Sequence, residues 1–271
     1  MFPSDHYPFK KIHGAGNDFI IMRSPAKIPD HNLIAQLCDR HFGIGANGLI
    51  LLSEASGIDF KMQYFNADGH EGTLCGNGGR AAAVFAYLDL ISRKKMRFEA
   101  IDGIHHAEIL QSHKGFFDVE ISMKDITHYD LNDDRLLIDT GSPHYVKRCD
   151  NLSAIDVIKE GAAIRHDKNI SQNGVNVNFM QLKKNEIHLR TFERGVENET
   201  LSCGTGVTAA AIAAALWYDK SAAVVNTKGG RLEVRFSHSA DKFTNIWLRG
   251  PVQFVFEGSI NLNQKQIYSA F

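Results

Sequence analysis

One short motif occurs twice in this chain and constrains its fold more than any other feature. Cys75-Gly76-Asn77-Gly78 and Cys203-Gly204-Thr205-Gly206 each run directly into an alanine-rich apolar stretch. Aligned on the cysteines, CGNGGRAAAVFAYL and CGTGVTAAAIAAAL share the Cys, both Gly, three successive Ala, a later Ala and the Leu. Other landmarks recur at nearly the same offset: Gly45-Ala46-Asn47 answers to Gly174-Val175-Asn176, Phe65-Asn66 to Phe192-Glu193, and Asp102-Gly103 to Gly229-Gly230. More loosely, Gly16-Asn17-Asp18-Phe19 answers to Gly141-Ser142-Pro143-His144. A sequence written twice in one order implies two homologous halves.

Length and charge agree with that reading. A chain of 271 residues can bury one large core or two of ordinary size, and the repeat selects two. Thirty Lys and Arg against 31 Asp and Glu leave no electrostatic footprint for nucleic acid or an anionic membrane, so the expected partner is a small molecule. The start, Met1-Phe2-Pro3-Ser4-Asp5, has no basic region followed by an apolar core, so no secretory signal is expected. The longest apolar run, about Val207 to Tyr218, falls short of the roughly 20 residues a membrane helix needs. The expectation is a soluble, cytoplasmic protein. Four cysteines without a Cys-x-x-Cys pair make neither a disulfide scaffold nor a structural zinc site. His13, His31, His41, His105, His106 and His113 show no metal-ligand spacing. Cys38 falls at helical spacing with Leu33, Ile34, Leu37 and His41 and reads as packing, and Cys149 sits in a polar stretch without a motif.

Strand-like runs dominate, among them FKKIHG, GLILLS, FKMQYFN, FFDVEIS, VNVNFMQL, EIHLRTF, RLEVRF, TNIWLRG and VQFVFEG. Several alternate apolar and polar residues, as half-buried antiparallel strands do. Helical periodicity is confined to about 30–41, 78–91, 153–163 and 206–219. The two cysteine-led helices are apolar on nearly all sides and rich in Ala, which places each inside its sheet with close backbone contact. The expected fold is α/β of the α+β type: two homologous halves, each a curved, mostly antiparallel sheet wrapped around a central helix. The polar stretch Asp125 to Arg135 is the best boundary. The halves are expected to be 1–126 plus 251–271, carrying Cys75, and 127–250, carrying Cys203, with the active site in the cleft between them.

The motif has a definite chemistry. Glycines beside Asn77 and Thr205 let backbone approach a ligand, and the helix that follows leaves its first amide hydrogens unpaired, which makes an anion receptor. The same partial positive charge lowers a thiol pKa and is expected to populate thiolate near neutral pH. Two such ends facing each other would hold one carboxylate with a sulfur on either side of the carbon attached to it. That geometry suits inversion of an α-carbon, in which one face loses a proton and the other gains one. The α-hydrogen of an amino acid is very weakly acidic, so electrostatic help from the helix ends is required in a site that excludes water. An isolated Cys-Gly-x-Gly is ordinarily structural, but core packing does not require it twice. A redox pair is the other chemical option, should the sulfurs come close.

With these motifs laid out, the chain resembles diaminopimelate epimerase over nearly its whole length. The residues that carry the resemblance are HGAGNDF (His13 to Phe19), HFGIGANGL (His41 to Leu49), FNADG (Phe65 to Gly69), LCGNGGR (Leu74 to Arg80) and TGSPH (Thr140 to His144). GVNVNFM (Gly174 to Met180), ERG (Glu193 to Gly195), SCGTG (Ser202 to Gly206) and GGRLEV (Gly229 to Val234) complete it. The resemblance implies a cofactor-independent enzyme of lysine and peptidoglycan precursor synthesis, without PLP or metal, working as a homodimer. Cys75 and Cys203 would be its acid/base pair, and the helix-start amides of Gly76, Asn77, Gly204 and Thr205 would hold the substrate carboxylate. Asn17, Asn66, Asn176, Glu193 and Arg194 would hold the distal amino-acid end, with His144 and Glu193 flanking the reacting centre. Their chemistry agrees: an ammonium suits Glu193, a carboxylate suits the Arg194 fork, and amides serve either.

The chain also departs from the family's commoner pattern. Ser142 stands where Asn is frequent, Gly48 where some members carry Gln, Asn47 where Asp is frequent and Gly79 where Ala is usual. The nearest rival function is a proline or 4-hydroxyproline racemase of the same fold. A cyclic substrate without a distal charged end would leave the Glu193-Arg194 pair unsatisfied, at a cost. A thiol redox protein is disfavoured by the lack of a local Cys-x-x-Cys. A non-catalytic anion-binding module would tolerate Ser at both cysteines, and a PLP-dependent racemase is disfavoured because no lysine stands out in a glycine-rich site.

Overall fold

The computed structural model describes residues 6–220 and 222–262, so the Met1–Asp5 start and residues 263–271 of the expected first half lie outside the described residues. The first half runs β1 (His6–Gly14), β2 (Asn17–Arg23), α1 (His31–Cys38), β3 (Gly48–Ser53), β4 (Phe60–Asn66), α2 (Gly76–Leu88), β5 (Lys95–Ala100), β6 (Gly103–His113) and β7 (Phe116–Ser122). The second continues with β8 (Tyr129–Leu131), β9 (Arg135–Asp139), β10 (Pro143–Arg148), α3 (Val157–His166), β11 (Asn176–Lys183), β12 (Glu186–Glu193), β13 (Asn198–Thr200), α4 (Gly204–Tyr218), β14 (Ala222–Thr227) and β15 (Gly230–Ser239). A final long strand, β16 (Lys242–Asn261), belongs to both.

Hydrogen bonding runs β1 through β7 in order, then β16, β15, β14, β12, β11, β10, β9 and β8. β16 also pairs with β1, so the first sheet closes on itself around α2. Pairing is antiparallel except at β2–β3, β4–β5, β10–β11 and β12–β14. Each of these four parallel steps needs a crossover, and α1, α2, α3 and α4 supply one apiece. The repeat read from the sequence is thus a repeat of crossovers: α1 and α3 pack outside their sheets, against Ile20, Leu49 and Leu51 and against Val177, Phe179 and Phe192. Helices α2 and α4 run inside, with Ala81–Ala83 and Ala209–Ala211 fully buried in one continuous core. Alanine is required there because the sheet backbone approaches the helix on every side.

The architecture matches the expectation of two curved, strand-rich halves, each around a central helix. Several local readings change, among them the helices expected at 30–41 and 153–163, which run His31–Cys38 and Val157–His166. Helices α2 and α4 begin at Gly76 and Gly204 rather than at 78 and 206, because each cysteine is itself the N-cap. Strand β10 forms where no strand is expected, since its alternation of buried His144 and Val146 with Tyr145 and Lys147 hides behind Pro143 and a charged end. TNIWLRG and VQFVFEG fuse into β16, which changes partner from β15 to β7 at Gly250 and Pro251, a position where the proline's missing N–H is tolerated. The polar boundary stretch also contributes β8, whose Tyr129 packs edge-on against Phe243 with ring centroids 6.2 Å apart.

Candidate active site

Helices α2 and α4 meet N-terminus to N-terminus. A Cβ built on Gly204 would come within 3.0 Å of the Gly76 Cα and the Asn77 N, and one on Gly76 within 3.3 Å of the Gly204 Cα. Only glycine at both positions lets the two helix ends touch. Cys75 and Cys203 cap these ends and line one cavity of about 250 Å³ with Gly76, Gly204, Thr205, Asn66, Asn176, Glu193 and Arg194. A second lobe of about 680 Å³, lined by Asn17, Arg40, Asn47 and the 198–202 loop, shares Tyr64, Asn66, Glu193 and Gly195 with the first. The cleft therefore has a waist, with the thiols on one side of it.

The thiols are held differently. Cys75 Sγ accepts the Gly78 N–H at 3.4 Å and the Asn17 side-chain amide at 3.6 Å. Cys203 Sγ faces Thr205 Oγ1 at 3.4 Å. Burial pushes the Cys75 thiol up to about 11, with the Glu193 charge adding to the effect and the helix-start amides and Arg80 opposing it. Burial and then Glu193 push Cys203 further in the same direction. The expectation of a thiolate at neutral pH is corrected: the helix ends act in the expected direction, but desolvation of the charged sulfur outweighs them. Glu193 itself is raised by burial.

Asn77 departs from the rest of the expected binding set, for its fully buried side chain lines neither lobe. Its Nδ2 donates to the Ser202 carbonyl at 2.8 Å, and its Oδ1 accepts from Arg80 Nη2 at 2.6 Å, which ties α2 to the residue before Cys203. Only its backbone amide, beside Cys75, remains for an anion. Asn176 lines the cavity, but its Nδ2 donates to Ser142 Oγ at 2.8 Å and its Oδ1 accepts the Arg194 N–H at 2.9 Å. It thereby sets the loop from which Arg194 projects. The Arg194 guanidinium contributes one hydrogen bond to the Gly174 carbonyl at 3.4 Å. His144 is fully enclosed behind Thr205, with burial and the Arg194 charge pulling its pKa down to about 3. It is neutral at any working pH.

Sequence reasoning missed three residues. The Tyr64 ring stands at the waist of the cleft, edge-on to Phe19, between Gly48 and Gly72; a Cβ at either glycine would meet the ring at 2.6 Å and 2.8 Å. Its hydroxyl occupies the space that a longer residue 48 would fill, and burial followed by Cys75, Glu193 and Cys203 holds its pKa well above the usual value. Arg80 is fully buried with its Nε unpartnered, and burial pulls it down to about 10. An arginine inside an apolar helical run is the signal that points to it. Asn178, fully buried on β11, touches His144.

The profile described as diaminopimelate epimerase matches residues 9–126 and 136–255. A diaminopimelate epimerase of Flavobacterium psychrophilum is 47% identical over 256 residues, which cover 92% of this chain and 98% of that one. A diaminopimelate epimerase of Chlorobaculum tepidum is 40% identical over 266 residues, covering 93% of this chain and all of that one, 100%. Among solved structures, a hydroxyproline epimerase from Agrobacterium vitis superposes with a TM-score of 0.73 at 13% identity, covering 98% of this chain and 95% of that one. A PhzF-family phenazine biosynthesis protein of Bacillus anthracis gives 0.71 at 16% identity, with 94% and 99% covered. At those identities the structural likeness speaks for the fold.

Proposed function

The chain belongs to the diaminopimelate epimerase family, and from that premise we propose that it interconverts LL- and meso-2,6-diaminopimelate by proton transfer between two cysteines, in lysine and peptidoglycan precursor synthesis. The observation that supports this most is the meeting of two cysteine-capped helix ends, Gly76 against Gly204, over one polar cavity. One sulfur, as thiolate, takes the α-hydrogen, so a C–H bond breaks and an S–H bond forms. The charge that develops on the carboxylate faces the first-turn amides of both helices, where donors fixed in advance stabilise it without reorganisation. The other sulfur, as thiol, delivers its hydrogen to the opposite face, and its own S–H bond breaks as the new C–H bond forms.

The pKa pattern couples binding to activation. Glu193 opposes a negative charge on either sulfur. An ammonium group of the substrate against Glu193 would cancel that opposition, so the thiolate forms with substrate present and stays protected as thiol without it. Arg194 supplies the fork for the distal carboxylate, with Asn66 in the same lobe and Asn17 in the adjoining one. The same pairing disfavours a cyclic imino acid, which would leave Arg194 unused.

Proton NMR of the reduced protein with LL-diaminopimelate in heavy water tests the reading. Loss of the α-hydrogen signal together with growth of the meso isomer is expected. Absence of exchange under reducing conditions rejects the reading, and exchange with proline alone transfers the chain to the racemase branch.

A further inference from the structure

Behind Cys203 lies a chain of buried polar side chains in which donor and acceptor can be assigned at each step. Thr191 Oγ1 donates to Asn178 Oδ1 at 2.9 Å, which turns the amide nitrogen of Asn178 toward the Tyr145 carbonyl at 3.3 Å and His144 Nδ1 at 2.9 Å. A carbonyl can only accept, so the amide orientation is fixed and His144 Nδ1 receives a hydrogen. A neutral imidazole whose Nδ1 accepts must carry its own hydrogen on Nε2, and Nε2 lies 2.8 Å from Thr205 Oγ1. With its oxygen accepting from His144, the Thr205 hydroxyl has one hydrogen to give, and Cys203 Sγ stands 3.4 Å away. Asn178 and His144 are fully buried, Thr191 and Thr205 nearly so, and no water exchange is needed to complete the set.

Among the described residues the first half has no such chain: the side-chain donor on Cys75 Sγ is the Asn17 amide, 3.6 Å away, whose own Oδ1 has no partner to orient it. Where Asn178 Oδ1 stands over Gly206, at 2.4 Å from a Cβ built there, the methyl of Ile50 stands over Gly78 at 3.2 Å. Phe19 takes the place that corresponds to His144. We propose that Asn178 is a positioning residue which, by fixing the tautomer of His144, commits the Thr205 hydroxyl hydrogen to the Cys203 sulfur. This rests on the reading that Cys203 exchanges a proton with substrate. Around Cys203 the other titratable groups are Glu193 on β12, Cys75 at the start of α2 and Tyr64 on β4, while Arg194 faces His144. None of these is a neutral donor aimed at the sulfur; the Gly206 N–H reaches it as the Gly78 N–H reaches Cys75, and the Thr205 hydroxyl is the side-chain donor that Cys203 has among the described residues.

The test follows alkylation of each cysteine by iodoacetamide at mildly alkaline pH, with peptide mass spectrometry, since the rate tracks the thiolate fraction. Thr205→Val and Asn178→Leu are each expected to slow Cys203 about tenfold while Cys75 stays within about twofold, and Thr205→Ser is expected to restore the rate. An unchanged Cys203 rate in Thr205→Val, or equal slowing of both cysteines, would overturn the proposal. An unchanged Cys203 rate in folded Asn178→Leu would overturn the role of Asn178, and if that variant does not fold, Asn178→Asp, which presents an acceptor to His144 Nδ1, is expected to slow Cys203 about tenfold in its place. No diaminopimelate enters the assay, so its outcome is separate from that of the turnover experiment.

Discussion

The two helix ends are built on one backbone plan and defended by different electrostatics. At the same place in the first turn, Arg80 Nη1 donates to the Gly76 carbonyl at 3.3 Å in α2, and Thr208 Oγ1 donates to the Gly204 carbonyl at 3.2 Å in α4. The first half thus stores a whole buried cation behind its thiol. The second stores a neutral hydrogen-bond chain through Thr205, His144 and Asn178. Two like helix ends meet at Gly76 and Gly204, and their sulfurs have different neighbours. A reaction that uses one sulfur as base and the other as acid has reason to keep them unequal.

Removing either sulfur should have the largest effect. Cys75→Ala and Cys203→Ala are each expected to lower epimerisation by about a hundredfold to ten-thousandfold, the range that a positioned acid or base contributes. Circular dichroism and thermal unfolding should show the fold intact, since both cysteines face the cavity. Near-normal turnover in either variant would end the two-base reading and with it the premise of the comparison.

Exchange of the cation should separate the halves. Arg80 acts on the Cys75 charge and is hydrogen-bonded within α2, to the Gly76 carbonyl and Asn77, whereas the leading influences on Cys203 are burial and Glu193. Arg80→Met, which conserves length and removes the charge, is expected to slow alkylation of Cys75 about tenfold and leave Cys203 within about twofold. Thr208→Val should move neither by more than about twofold, its hydroxyl being bonded to a backbone carbonyl. Equal slowing of both thiols by Arg80→Met would mean that the arginine acts through the Asn77 tie to Ser202 rather than through its charge.

Much of this site was legible in the sequence because it is local. A cysteine, two glycines and a run of alanines state a capped helix end in a closely packed interior, and their repetition states a pair. What was not legible depends on neighbours brought together by the sheets. The thiol pKa direction was misread because the helix dipole is a sequence feature and desolvation is not. Tyr64 was passed over because its importance lies in Gly48 and Gly72, which make room for its ring from another strand and another loop. Asn178 reads as one more polar residue in VNVNFMQL until β10, itself unforeseen, sets His144 beside it.

Two buried histidines give the finest test of the contrast between the halves, through stability rather than rate. In the second half, His144 has its pKa depressed to about 3 by burial and Arg194. The unfolded chain binds that proton more readily, so its contribution is fully present above the unfolded value of about 6.5 and erodes as pH falls toward 3, by on the order of 1.4 kcal/mol per unit. In the first half, His105 places Nδ1 2.9 Å from the Ser122 carbonyl and Nε2 3.1 Å from Asp102. Burial works against its charge, but Asp102 and Ser122 outweigh burial and its pKa is raised. Its contribution is present below the unfolded value and is lost as pH rises through the folded one. Denaturant unfolding across this range should therefore show opposite changes of slope: His144→Gln flattens the loss of stability toward acid, and His105→Gln flattens the loss toward neutral pH. The same sign in both variants would show that one of the two rings is charged otherwise than its partners dictate.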